Sequence, residues 1–110
     1  MTDHRLDVLA MLADEIAMRS TASPETSYTA KLLSQGVEKC AKKFGEEAVE
    51  LALATVLRNT AQTTAEAADV LYHLLVLLAA SGVEFSDVMA ELARRQGVSG
   101  IAEKASRPKD

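Results

Sequence analysis

The sequence is short of several things at once. It has one cysteine, no tryptophan, two tyrosines, two phenylalanines and two prolines in 110 residues. A lone Cys40 excludes an intrachain disulfide and any zinc site built from cysteine pairs. With aromatic residues at 4%, the core must come from Leu, Ala and Val, a composition that favours helix over sheet. Positive charge is scarce too. The net charge of −4 argues against a general nucleic-acid binder, which needs a basic footprint. No long hydrophobic run is present. The strongest, Val70 to Ala80, is too short to cross a bilayer and contains Tyr72 and His73. The opening MTDHRLDVLAMLADE places acids inside its apolar pattern and lacks the unbroken apolar stretch of a signal peptide. The expectation is a cytoplasmic protein with neither a membrane nor a nucleic acid as partner.

What is present is helical periodicity, in a chain of a length suited to one domain. Leu6, Leu9, Met11, Leu12, Ile16 and Ala17 predict a helix from about Asp3 to Arg19. STASPETS, Ser20 to Ser27, reads as a loop around Pro24. A short helix is predicted over Tyr28 to Ser34, stopping at Gly36, and a long one from about Val37 to Asn59. On that long helix Val37, Ala41, Phe44, Ala48, Leu51 and Thr55 fall on one side, the expected core face. Gly45 within it marks either a close approach of backbone or ligand, or a neutral site. Thr60 to Thr64 reads as a polar connection, with Thr63 or Thr64 as N-cap of a third long helix that ends at Gly82. A last helix is predicted from an N-cap at Ser86 to about Gln96. The domain is placed at 1–97, with 98–110 a tail that is weakly ordered by itself. These elements make an all-α, four- to five-helix bundle. The third long helix is apolar on more faces than one small bundle covers, so a homodimer should complete the core.

The chemistry lies in five acids. Glu46, Glu47 and Glu50 read E-E-x-x-E, and Glu66 with Asp69 reads E-x-x-D. Both groups have helical spacing, inside segments that otherwise look buried. Carboxylates are almost never buried without partners. A hard divalent cation holding substrate phosphates suits them, because Mg²⁺ prefers oxygen ligands and retains exchangeable positions. Lys39 and Lys43 continue the stripe of Glu46 and Glu50, suited to phosphates extending beyond the metal. The same stripe also suits a solvated face of Lys–Glu pairs at i, i+4. That reading is harder to hold for Glu66 and Asp69, whose helix continues as VLYHLLVLLAA. His73 shares their arc and either contacts substrate or orients a carboxylate; a core histidine with a satisfied hydrogen bond fits equally. Tyr72 and Cys40 read as core residues.

Fifteen residues separate Glu50 from Glu66, and the whole pattern resembles the all-α, MazG-like nucleotide pyrophosphohydrolases. SYTAKLL, GVEKCAKKFGEEAVE and EAADVLYHLLVLLA narrow the likeness to the phosphoribosyl-ATP pyrophosphatases of histidine biosynthesis, over nearly the whole chain. The resemblance implies Mg²⁺-dependent hydrolysis of phosphoribosyl-ATP to phosphoribosyl-AMP and pyrophosphate, by a dimeric α-helical enzyme. It implies Glu47, Glu50, Glu66 and Asp69 as metal ligands, and Glu46 as a further ligand or the group that orients the attacking water. It further implies Lys31, Lys39 and Lys43 as phosphate contacts and Ser27 and Tyr28 as pocket residues. Two other readings compete. One is a broader pyrophosphohydrolase of non-standard NTPs; the other is a non-enzymatic helical dimerisation module, which leaves Glu66 and Asp69 unexplained.

Overall fold

The computed structural model describes residues 4–108 and contains six helices, with no strand among the described residues. They are α1 (Asp7–Arg19), α2 (Tyr28–Ser34), α3 (Val37–Val56), α4 (Thr60–Ser81), α5 (Phe85–Arg95) and α6 (Gly100–Ser106). The all-α expectation holds. The predicted start of the first helix at Asp3 lies outside the described residues, and α1 begins at Asp7.

Local chemistry sets the boundaries. The loop after α1 tightens around Pro24, where the N–H groups of Thr26 and Ser27 both donate to the Ser23 carbonyl at 3.1 Å. Ser27 then caps α2, its hydroxyl accepting the Ala30 N–H at 3.1 Å. Between α2 and α3 the chain reverses through Gly36 at φ 91°, a conformation closed to most residues with a Cβ. Gly82 at φ 76° ends α4 as expected, with Val83 N–H donating to Leu78 and Gly82 N–H to Ala79.

The turn between α3 and α4 differs from the sequence reading. It is short, and the polar stretch from Thr60 to Thr64 belongs to the helix. Arg58 occupies the left-handed region at φ 57°. Its N–H donates to Thr55 and that of Asn59 to Ala54, closing α3 as a glycine would. Asn59, not Thr63 or Thr64, is the N-cap, its side chain accepting the Gln62 N–H at 3.0 Å. Likewise α5 starts at Phe85, ahead of Ser86, and its preceding residue Glu84 makes no side-chain cap bond.

The α3 and α4 helices fold back on each other as a hairpin, and α4 also packs against α1 and α2. This makes α4 the hub, as its apolar character predicts. By length and composition alone it could cross a membrane; here it is the bundle's centre. Ile16, Leu32, Cys40, Leu75 and Val76 form the buried core. The Cys40 thiol donates to the Leu32 carbonyl at 3.2 Å, and burial pushes its pKa up, away from thiolate reactivity.

The core face of α3 also requires correction. Its buried residues are Cys40 and Ala54, and half-buried Glu47 lies between them at seven-residue spacing. Val37, Ala41 and Thr55 are exposed. The inward face is therefore turned by about 80° from the expected apolar stripe, towards the charged one. Val49, Leu53 and Val56 point elsewhere and are exposed.

The tail beyond residue 97 carries α6, capped by Ser99. Glu103 is buried there and accepts from Arg94 at 3.1 Å and from Arg107 at 2.7 Å. Glu91 is bonded by both Arg94 and Arg95, whose guanidinium groups hold its carboxyl down at about 2. The Arg94–Glu103 pair joins α6 to α5.

Candidate active site

Glu47 on α3 and Glu66 and Asp69 on α4 converge, each offering a carboxylate oxygen within 4.8 Å of the other two. Three helical facts bring them together. Glu47 lies on the inward stripe of α3, Glu66 and Asp69 are neighbours at i, i+3 on α4, and the tight turn at Arg58 fixes the register of the hairpin. Burial is uneven: Glu66 is 8% exposed, Glu47 is half-buried and Asp69 is exposed. The cluster thus opens to solvent on one side.

Glu66 shows what the cluster lacks. Its Oε1 accepts from the Gln62 side-chain amide at 2.6 Å. Its Oε2 is buried with no hydrogen-bond partner. A buried carboxylate with one oxygen unpaired, clustered with two more carboxylates, is unfavourable unless a cation joins them. All-oxygen donors of this kind fit a hard divalent ion. The residues present therefore fit a metal ion, which Glu47, Glu66 and Asp69 could hold.

A second feature adjoins the first. His73, one turn after Asp69, is buried, and its pKa is lowered first by burial and then by the positive charge of Lys43, with Asp69 opposing. Lys43 precedes Glu47 by one turn, so it supplies a cation beside the acids. His73 meets Tyr72 edge-on at 5.1 Å, and Tyr72 stacks with Tyr28 at 6.5 Å and an interplanar angle of 17°. Tyr72 Oη and Thr29 Oγ1 share a hydrogen bond of 2.5 Å. Burial is the main cause that raises the Tyr72 pKa, keeping it a neutral phenol. A ring chain therefore runs from the acid-bearing face of α4 to the exposed Tyr28 of α2.

The model of the family described as phosphoribosyl-ATP pyrophosphohydrolase matches residues 9–96. The chain belongs to the phosphoribosyl-ATP pyrophosphohydrolase family. Relatives named phosphoribosyl-ATP pyrophosphatase agree along nearly their whole lengths. That of Dinoroseobacter shibae is 60% identical over 93% of this chain and all of its own. That of Paracoccus denitrificans is 62% identical over 90% of this chain and 92% of its own. That of Ruegeria pomeroyi is 57% identical over 94% and 99%. The resemblance carried by the E-E-x-x-E and E-x-x-D segments is thus shown, and the non-enzymatic reading falls away.

Within this pyrophosphohydrolase the other expected site residues are placed as follows. Glu46 and Glu50 are exposed on α3, outside the three-carboxylate group. Lys39 is exposed on the first turn of α3. Lys31 and Tyr28 are exposed on α2 and line one open depression together with Ser27, whose hydroxyl is also the α2 cap. Two residues escaped sequence reading. Thr29 sits inside the SYTAKLL segment and holds Tyr72. Gln62 holds Glu66, and its signal was the i, i+4 spacing to Glu66, hidden by the later helix start.

Proposed function

We propose that this pyrophosphohydrolase hydrolyses phosphoribosyl-ATP to phosphoribosyl-AMP and pyrophosphate, in histidine biosynthesis, with Mg²⁺ bound by its acids. The observation that carries the reading is Glu66, which has a buried, unpaired Oε2 and belongs to the carboxylate cluster with Glu47 and Asp69. Names of relatives that match over nine-tenths of the chain or more supply the substrate.

Water is added across the anhydride between the α and β phosphates. Glu47, Glu66 and Asp69 hold the metal, and Glu50, one turn beyond Glu47, is the fourth ligand. When bound, Mg²⁺ supplies Lewis acidity towards phosphate oxygens and an acidified water. Exposed Glu46 either joins the ligands or orients the attacking water. Lys31, Lys39 and Lys43 contact phosphates, and Ser27, Tyr28 and His73 line the substrate pocket. Because His73 is held neutral beside Lys43, it serves as a hydrogen-bonding group and adds no further charge. Such transfer is mainly positioning and electrostatics, so no covalent nucleophile is required.

The enzyme works as a homodimer in the cytoplasm, on a nucleotide substrate and not on nucleic acid. Val49, Leu53, Val56 and Leu57 are 59%, 58%, 76% and 77% exposed; a second copy is the natural cover for so apolar a helix end. Residues 1–97 form the catalytic domain, with 98–110 as its tail.

Pyrophosphate release from phosphoribosyl-ATP, with and without Mg²⁺ and beside a panel of free NTPs, tests the reading. Metal-dependent release from phosphoribosyl-ATP alone is expected. Efficient release from several NTPs, with phosphoribosyl-ATP poor, would replace it by the broader pyrophosphohydrolase. Glu50→Gln should abolish turnover with the helical content intact.

A further inference from the structure

Gln62 occupies the third position of α4, three residues after its N-cap Asn59. In that place a glutamine ordinarily turns back to bond the N-cap's own backbone N–H. Here that N–H is already taken, because Asn59 donates to the Ala54 carbonyl at 3.2 Å across the Arg58 turn. The Gln62 side chain is therefore free of capping and reaches forward one turn, to Glu66 Oε1 at 2.6 Å. A carboxylate only accepts hydrogen bonds, so the amide nitrogen must face it. The other oxygen, Oε2, is left buried and unpaired, on a carboxylate that belongs to the three-acid cluster.

We infer that Gln62 is a positioning residue for the metal site, whose amide fixes the Glu66 carboxylate so that Oε2 faces the ion. The inference rests on the metal reading of Glu47, Glu66 and Asp69 and adds to it a residue outside the acidic motifs. A glutamate side chain has three rotatable bonds, and a donor fixed on one oxygen restricts where the other can lie. One donor on Oε1 removes that freedom before the ion arrives. Partners of this kind commonly govern metal affinity by 10- to 100-fold. The turn takes part as well: Arg58 ends α3, Asn59 caps α4, and the cap fixes the backbone from which Gln62 reaches.

The test is Mn²⁺ binding to the nucleotide-free protein, read by water-proton relaxation. It compares the unsubstituted chain with Gln62→Met and Gln62→Ala. Gln62 is exposed and both replacements are good helix formers, so neither opens a cavity nor breaks α4. Both should weaken Mn²⁺ binding by about tenfold or more, with the metal-free helical content by circular dichroism unchanged. The Mg²⁺ concentration for half-maximal hydrolysis should rise in the same ratio, and kcat at saturating Mg²⁺ should stay within about threefold. Affinities within about twofold of the unsubstituted protein would overturn the role of Gln62 and leave the metal site standing. Failure of the unsubstituted protein to bind Mn²⁺ saturably would overturn the metal reading, and this inference with it.

Discussion

Replacing Asp69 by Asn should make the metal-free protein more stable while removing its activity. The closest carboxylate oxygens of Glu47, Glu66 and Asp69 lie within 4.8 Å of one another. At an effective dielectric constant of about 40, between a surface pair and bulk water, two unit charges at that distance repel by roughly 1.7 kcal/mol. Asp69 takes part in two such pairs, for roughly 3.5 kcal/mol in total. It is solvent-exposed, so screening by water and salt leaves about half of this. Asn and Asp have similar helix propensities, so the substitution adds little of its own. A gain near 1.5 kcal/mol in a domain of this size corresponds to roughly 6 °C in melting temperature. Magnesium should act in the opposite sense. At about a hundredfold excess over its dissociation constant it stabilises the unsubstituted protein by about 2.7 kcal/mol, and it should do much less for Asp69→Asn. The assay is a pair of thermal melts by circular dichroism at fixed protein concentration. One is run after chelation, the other in MgCl₂, with NaCl matching the ionic strength. If Asp69→Asn melts at or below the unsubstituted protein after chelation, and gains as much from MgCl₂, the carboxylates are not a strained cation site.

Three further outcomes follow from particular residues. Gly45 sits inside α3 with open space where a Cβ would be, so Gly45→Ala should stabilise by about 1 kcal/mol; a loss of activity or dimerisation instead would reveal a close neighbour there. Arg58 holds φ 57°, so Arg58→Gly should raise the melting temperature slightly, by up to about 1 kcal/mol in stability; a clear destabilisation would mean that the side chain matters more than the strain. His73 is held below its ordinary 6.5 by burial and by Lys43. The unfolded chain therefore binds the extra proton first. Its stabilising contribution is complete above about 6.5 and is lost as pH falls through the depressed value. Chemical denaturation of the protein and of His73→Gln across that range should show a weaker acid dependence in the variant; identical slopes would refute the assignment.

The parts legible in the sequence are those that local chemistry decides. Ser27 and Gly36 bracket α2, and Gly82 ends α4 in the left-handed form that only glycine adopts freely. Helical spacing likewise puts Glu66 and Asp69 on one arc of α4, but that Glu47, and neither Glu46 nor Glu50, meets them comes from the structure. What was not legible depends on tertiary context. Nothing in Arg58 announces a positive φ, so the sequence pattern starts α4 several residues late and puts Gln62 in a loop. The inward face of α3 departs from its apolar stripe for another reason. A helical wheel assumes one apolar partner, whereas the second half of α3 is apolar on two sides and packs its Glu47 side inward. Thr29 and Tyr72 lie 43 positions apart, and no local pattern links them.

The three converging acids all belong to a single helical hairpin turning at Arg58. Closing so short a loop costs little chain entropy, and contacts of low sequence separation form early in folding. The catalytic geometry should therefore exist as soon as α3 and α4 dock, before α1, α5 or α6 is in place. Substitutions at Leu57, Arg58 or Asn59 should then alter the folding rate more than the unfolding rate. The flanking helices are left free to vary in what they recognise without disturbing the site they surround.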